Sequence, residues 1–200
     1  MGKYYYLVSG LPDISLDDGK LAYTVADFRA EMEATLSAKD QKLIDLFFLK
    51  YDNANLLACL KEADAPLDPR GRITREEFEA VYKALKEEEK LPKNEAIPAY
   101  HVTFIQRYLA EEQSEQKGEK AQVSWEDQLA ALYYEAAMKA PNPFVAGWFE
   151  LNLNINNVLT AITCRKYGFD KSLYIVGHNE IAEQIRTSNA RDFGLSDAVE

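Results

Sequence analysis

Apolar side chains recur along this chain mostly at intervals of three and four residues, so the pattern predicts helices. Between Leu43 and Leu60 the positions Leu43, Leu46, Phe47, Phe48, Leu49, Tyr51, Leu56 and Leu57 fall on more than one face, which predicts a helix, or a broken pair of helices, buried on several sides. Phe78, Val81, Tyr82 and Leu85 mark another helix, and Val102, Ile105, Tyr108 and Leu109 a further one. Leu129, Leu132, Tyr133, Ala136 and Met138 form an apolar stripe, and Ile181 and Ile185 sit in a last short helix. Two segments read differently. Tyr4 to Leu11 is aromatic, partly β-branched and stops at Pro12, which predicts a short extended piece plugged into the core; Leu173 to Val176 competes for strand status. The expected fold class is mainly α and multi-helical, with a core supplied by helix–helix packing.

Start and stop signals place the helices. Thr24 with Asp27, Ser37 with Asp40, and Thr74 with Glu77 have the spacing of a capping residue and its acidic partner three places on. Ser124 opens a helix, and Asn142–Pro143 is a cap followed by a first-turn proline, starting a helix from Phe144 to about Arg165 that closes before Gly168. Pro98 suits a first turn, and Gly177 and Asn179 punctuate the approach to the last helix. Between Glu111 and Gln122 the chain turns polar and low in complexity. The division expected is a first helical unit over residues 1–110 with the extended segment at its start, a linker at 111–122, and a second unit over 123–200.

Composition narrows the function. With 23 Lys and Arg against 33 Asp and Glu, the 200 residues carry a formal charge of −10. A basic face for phosphates is missing, so no nucleic-acid partner is expected, and anionic membrane surfaces are disfavoured. No apolar run nears the roughly 18 residues of a membrane span, and the start lacks a signal-peptide pattern, so a cytoplasmic protein without direct membrane insertion is expected. Cys59 and Cys164 belong to no CxxC pair and read as small buried hydrophobes.

Chemistry-bearing motifs are sparse. Gly71 to Phe78 resembles the second half of a calcium-binding EF-hand loop, with Gly71 as the turn glycine and Glu77 as the bidentate acid. Pro66 and Arg70, however, occupy ligand places, and calcium needs six to eight oxygens. A proline-rich turn before a capped helix accounts for the same residues. His101 and His178 lack a metal-ligand partner at a recognisable spacing, and neither nucleotide-binding glycine fingerprint occurs. With no catalytic constellation visible, neither an enzyme, a cofactor nor a metal is expected.

An internal echo is more informative. Phe47–Leu60, FFLKYDNANLLACL, and Phe149–Ile162, FELNLNINNVLTAI, share Phe47/Phe149, Leu49/Leu151, Asn55/Asn157 and Leu57/Leu159 at a displacement of 102 residues. Asparagine is a poor interior helix residue, retained where its amide has something to bond. Asn152, Asn154, Asn156 and Asn157 crowd the second copy, either bonding neighbouring helices or forming an interface for a helical partner.

The segments KYYYLVSGLPDI, NINNVLTAITCRKYGFDKSLYIVGHNE and SNARDFGLSD resemble an uncharacterised bacterial family encoded beside V/A-type ATPase genes. More distantly, Asn55-Leu56-Leu57 and Asn157-Val158-Leu159 are similar to the asparagine-centred repeat of the socket subunit of those ATPases, designated C in archaea and bacteria and d in eukaryotes. That resemblance implies two similar helical units. It also implies a non-catalytic subunit or assembly factor, a socket coupling the central stalk to the membrane rotor ring, peripheral to the inner membrane through its complex. Asn55, Leu57, Asn157, Leu159 and Arg165 would be its repeat or interface positions. The usual arginine a few residues after the asparagine is replaced by Lys61 in the first copy and comes late, as Arg165, in the second. The socket subunit has three units, so this chain is expected to look short by one. A small-molecule enzyme, its site assembled from scattered residues around His101 or His178 and two carboxylates, is the alternative expectation.

Overall fold

Side-chain caps set most of the helix starts in the computed structural model, which describes residues 4–15, 17, 19, 23–94, 96–112 and 123–195. Thr24 and Thr74 form reciprocal capping boxes with Asp27 and Glu77 at the heads of α2 (Val25–Thr35) and α4 (Arg75–Lys86). Ser37 accepts from the Asp40 amide to open α3 (Ala38–Lys61), and Ser124 accepts from that of Asp127 to open α6 (Trp125–Ala137). Asn142 accepts from the amides of Phe144 and Val145, with Pro143 in the first turn of α7 (Pro143–Tyr167), and Asn179 caps α8 (Glu180–Thr187). α5 (Ala99–Glu112) starts behind Pro98, whose carbonyl accepts the His101 amide at 3.0 Å. Gly168, left-handed at φ 72°, stops α7 where the sequence placed the stop.

The structure corrects the reading of the chain's start. Tyr5–Gly10 is a short helix, α1, and not an extended plug: Tyr5, Tyr6 and Val8 are exposed, and no residue of α1 is buried. Aromatic strand preference needs a neighbouring strand to act, and there is no strand among the described residues. What ties the segment down is the Tyr4 hydroxyl, which donates to Asp40 and accepts the Ser37 amide at 3.1 Å. Leu173–Val176 likewise forms no strand; a 3-10 turn over Lys171–Leu173 leads into it.

The fold is all-helical, with eight α-helices among the described residues. α3 runs unbroken for 24 residues. It packs on α4 and α6, and α5 lies between α4 and α6. Leu56, Phe78, Phe104, Ile105, Leu129 and Phe149 are central to this main core. A smaller core gathers Ala161, Ile175, Ala182, Ile185 and Phe193. α7, 25 residues long, joins the two: Val145 and Phe149 in its first half lie in the main core, and Ala161 in its second half lies in the smaller one. α5 occupies Glu111 and Glu112, the first residues of the expected linker, and the rest of 111–122 lies outside the described residues. Across that stretch α6 packs against α5 and α3, so the main core draws on both sides of it. No helix of the described residues is long and apolar enough to cross a membrane.

Candidate functional site

The sequence echo corresponds to a repeated device. Asn55, 3% exposed in the C-terminal half of α3, donates its amide to the Asp68 carbonyl at 3.0 Å and accepts the Asp68 amide at 2.7 Å. Asn157, 1% exposed in the middle of α7, donates to the Val176 carbonyl at 2.8 Å and accepts the Val176 amide at 2.9 Å. A primary amide presents one donor and one acceptor side by side, so each asparagine pairs with a loop residue as a neighbouring strand would. In both copies the clamped loop leads into a short capped helix, α4 or α8.

Three residues earlier on each long helix a second polar group holds the same loop. The Asp52 Oδ1 accepts the amides of Arg72 and Ile73 at 2.6 and 2.9 Å, and the Asn154 Oδ1 accepts from the side chain of Asn179, the α8 cap, at 2.8 Å. Glycines let the loops come close. A Cβ on Gly71 would collide with the Asn55 Nδ2, and Gly177 adopts φ 76° with the Leu153 side chain 3.1 Å from where its Cβ would be.

A buried polar cluster extends the first clamp. The Asn53 Oδ1 accepts from the Tyr100 hydroxyl and the His101 Nε2, both at 2.7 Å. His101 is fully buried, and loss of hydration pulls its pKa down to about 3, so the ring is neutral. Burial pushes Asp52 above the usual carboxylate range despite its two backbone donors, and its Oδ2 has no partner among the described residues. Asp52 lines a cleft of about 410 Å³ with Lys42, Asp45, Arg72 and Pro98, in which Arg72 pairs with Asp45.

The remaining predicted site residues divide. Leu57 is half-buried against the main core, whereas its counterpart Leu159 is 57% exposed. Arg165 donates to the carbonyls of Arg191 and Ala190 at 2.6 and 2.8 Å and covers the Phe193 ring at 4.1 Å, binding the 188–195 segment to α7. Asn152 bonds the Trp148 carbonyl and Asn156 the Tyr134 hydroxyl, so all four crowded asparagines have partners within the chain. In the EF-hand-like segment, Arg70 bonds the Asp68 carboxylate and holds it down to about 2. Glu77 is engaged by the Thr74 amide and by Asn94. Cys59 and Cys164 are free thiols, raised by burial.

His178 lies in a groove of about 460 Å³ shared with Arg107, Glu111, Asp127 and Arg186. Most of these groups are already engaged: His178 with Glu183 at 2.8 Å, Asp127 with Ser124, and Arg186 with the carbonyls of Ile175 and Gly177. Among the described residues no three His, Cys, Asp or Glu side chains converge as metal ligands would.

Asp52 and Asn53 were missed by sequence reasoning. The signal that could have found Asp52 is a polar residue three places before each repeated asparagine, Asp52 before Asn55 and Asn154 before Asn157, which puts both groups over one loop.

Fold and site together define an all-helical protein in which two long helices each clamp a following loop through a buried asparagine. The chain belongs to the family described as protein of unknown function DUF2764, whose profile matches residues 1–200. No curated protein and no solved structure matches it.

Proposed function

We propose that this chain is a non-catalytic helical subunit or assembly factor of a V/A-type rotary ATPase, in a socket-like place between the central stalk and the membrane rotor ring. The observation that carries the reading is the pair of asparagine clamps at Asn55 and Asn157. Two long helices each brace a loop and a short helix, an economical way to build a stiff scaffold that presents surface to protein partners. The asparagine-centred repeat of the ATPase socket subunit, which these positions resemble, supplies the named assembly. A charge of −10 suits encounter with basic stalk or ring loops, and attachment through them would place a cytoplasmic chain beside the inner membrane without insertion.

The test is affinity capture of the tagged full chain from its native cell. Recovery of central-stalk or rotor-ring subunits, decreasing as salt is raised, is the expected result; absence of all ATPase subunits at low salt overturns the reading. A second reading, a small-molecule enzyme, draws on the groove holding His178, Glu111 and Asp127. It requires a metabolite that raises the melting temperature of the wild type and not of His178→Ala.

A further inference from the structure

The exposed side of α7 carries a seam of large apolar residues. Phe144, Trp148, Leu151, Ile155, Leu159 and Ile162 are 74, 45, 53, 48, 57 and 50% exposed, and they follow one another at spacings of three and four. At 1.5 Å per residue the seam is about 27 Å long. It lies opposite the face on which Val145, Phe149, Leu153, Asn157 and Ala161 are buried. With roughly 200 Å² for each large apolar side chain fully exposed, the six present about 600 Å², the upper end of what monomeric proteins leave bare.

We propose that this seam is the interface of an antiparallel homodimer, α7 against α7 of a second copy. Three observations select a second copy as the occupant. The first is charge. Each chain carries −10, so most of its surface repels another copy, yet between Pro143 and Cys164 the only charged residue is Glu150, which lies off the seam. The second is self-complementarity. A two-fold axis between Leu151 and Ile155 sets Leu151 against Ile155 of the copy and brings Phe144 and Trp148 against Ile162 and Leu159. Bulky aromatic side chains at one end thus meet aliphatic ones at the other, as an isologous contact requires. The third is area. Covering the seam on both copies removes about 1,200 Å² in total, the lower edge of a standard stable interface. The antiparallel arrangement also sets the helix dipoles head to tail. The dimer stands whether or not the chain joins a rotary ATPase.

The experiment is sedimentation velocity on the full chain over a range of concentrations, with far-UV circular dichroism to follow folding. The wild type is expected to dimerise, and Leu151→Glu and Ile155→Lys, both at exposed positions, are each expected to be monomeric with unchanged helicity. Mixing the two variants is expected to restore a dimer, because the antiparallel register places the introduced glutamate against the introduced lysine. A wild type monomeric at every concentration, a dimer indifferent to both substitutions, or a mixture that stays monomeric overturns the proposal. So does a monomeric wild type that binds phosphatidylcholine vesicles through the same residues, which would assign the seam to lipid.

Discussion

Phe47 of α3 and Phe149 of α7, equivalent positions in the two copies of the echo, lie against each other with ring centroids 4.9 Å apart and planes tilted by 34°. Residues that match across the repeat therefore meet where the two long helices approach. Truncating Phe149, 5% exposed, to Ala should cost about 3–5 kcal/mol in denaturant unfolding. Phe47 is only half-buried, so its truncation should cost less. A double-mutant cycle should return a coupling of about 0.5–1.5 kcal/mol, and strict additivity would mean that the pair is incidental.

The clamps should be expensive to lose. Asn55→Ala or Asn157→Ala leaves a loop amide and a loop carbonyl without partners, a penalty of about 1–3 kcal/mol per buried group. Asn→Asp keeps the acceptor, removes the donor and adds a buried charge, so it should not rescue. Urea unfolding measures the loss, and hydrogen exchange at the Asp68 or Val176 amide should accelerate selectively in the matching variant.

Two glycines should respond in opposite directions. Gly71→Ala drives a methyl into the Asn55 Nδ2 and to 2.9 Å from the Asp52 Oδ1, breaking the approach on which the first clamp depends, and should lower the melting temperature. Gly147, inside α7 with open space around it, should stabilise on substitution by Ala by about 0.5–1 kcal/mol.

His101 makes stability depend on pH in mildly acid solution. Its folded pKa is depressed to about 3, against an ordinary value of 6.5, so the neutral ring's stabilisation is complete above pH 6.5. As pH falls below that value the unfolded chain takes up a proton that the folded chain refuses, with a limiting slope of about 1.4 kcal/mol per pH unit. Asp52, raised by burial, acts in the opposite sense, its protonated form stabilising the fold as pH falls, so the window below pH 6.5 is followed in an Asp52→Asn background, which isolates the histidine. His101→Gln should flatten the melting-temperature profile in that window; an unchanged slope would place the titrating group elsewhere.

Much of this architecture was legible because helix starts are local events. Thr24, Ser37, Thr74, Ser124, Asn142 and Asn179 act through amides two or three residues away, inside the window a sequence pattern covers. The repeated asparagine was legible for a related reason, its cost inside a helix. What each asparagine holds was not, since the partners lie 13 and 19 residues downstream at positions that look unremarkable, Asp68 and Val176. Asn53 was hidden by distance, its partners being Tyr100 and His101 on another helix. α1 was misread because no partner strand meets it among the described residues; it lies instead against α2, with Tyr4 reaching Asp40, 36 residues away, contacts that no local preference encodes.

α7 belongs to two cores of unequal size, and this sets an order of opening. The smaller core rests on Ala161, Ile175, Ala182, Ile185 and Phe193, with Arg165 and Asn157 as its polar ties. The segment from Lys171 to Leu195 can therefore detach as a cooperative unit at a lower free energy than the rest, leaving α7 anchored by Val145 and Phe149. Once it has detached, the chain is a folded bundle with half of one long helix projecting into solvent, a species that a protease would cut first near Gly168.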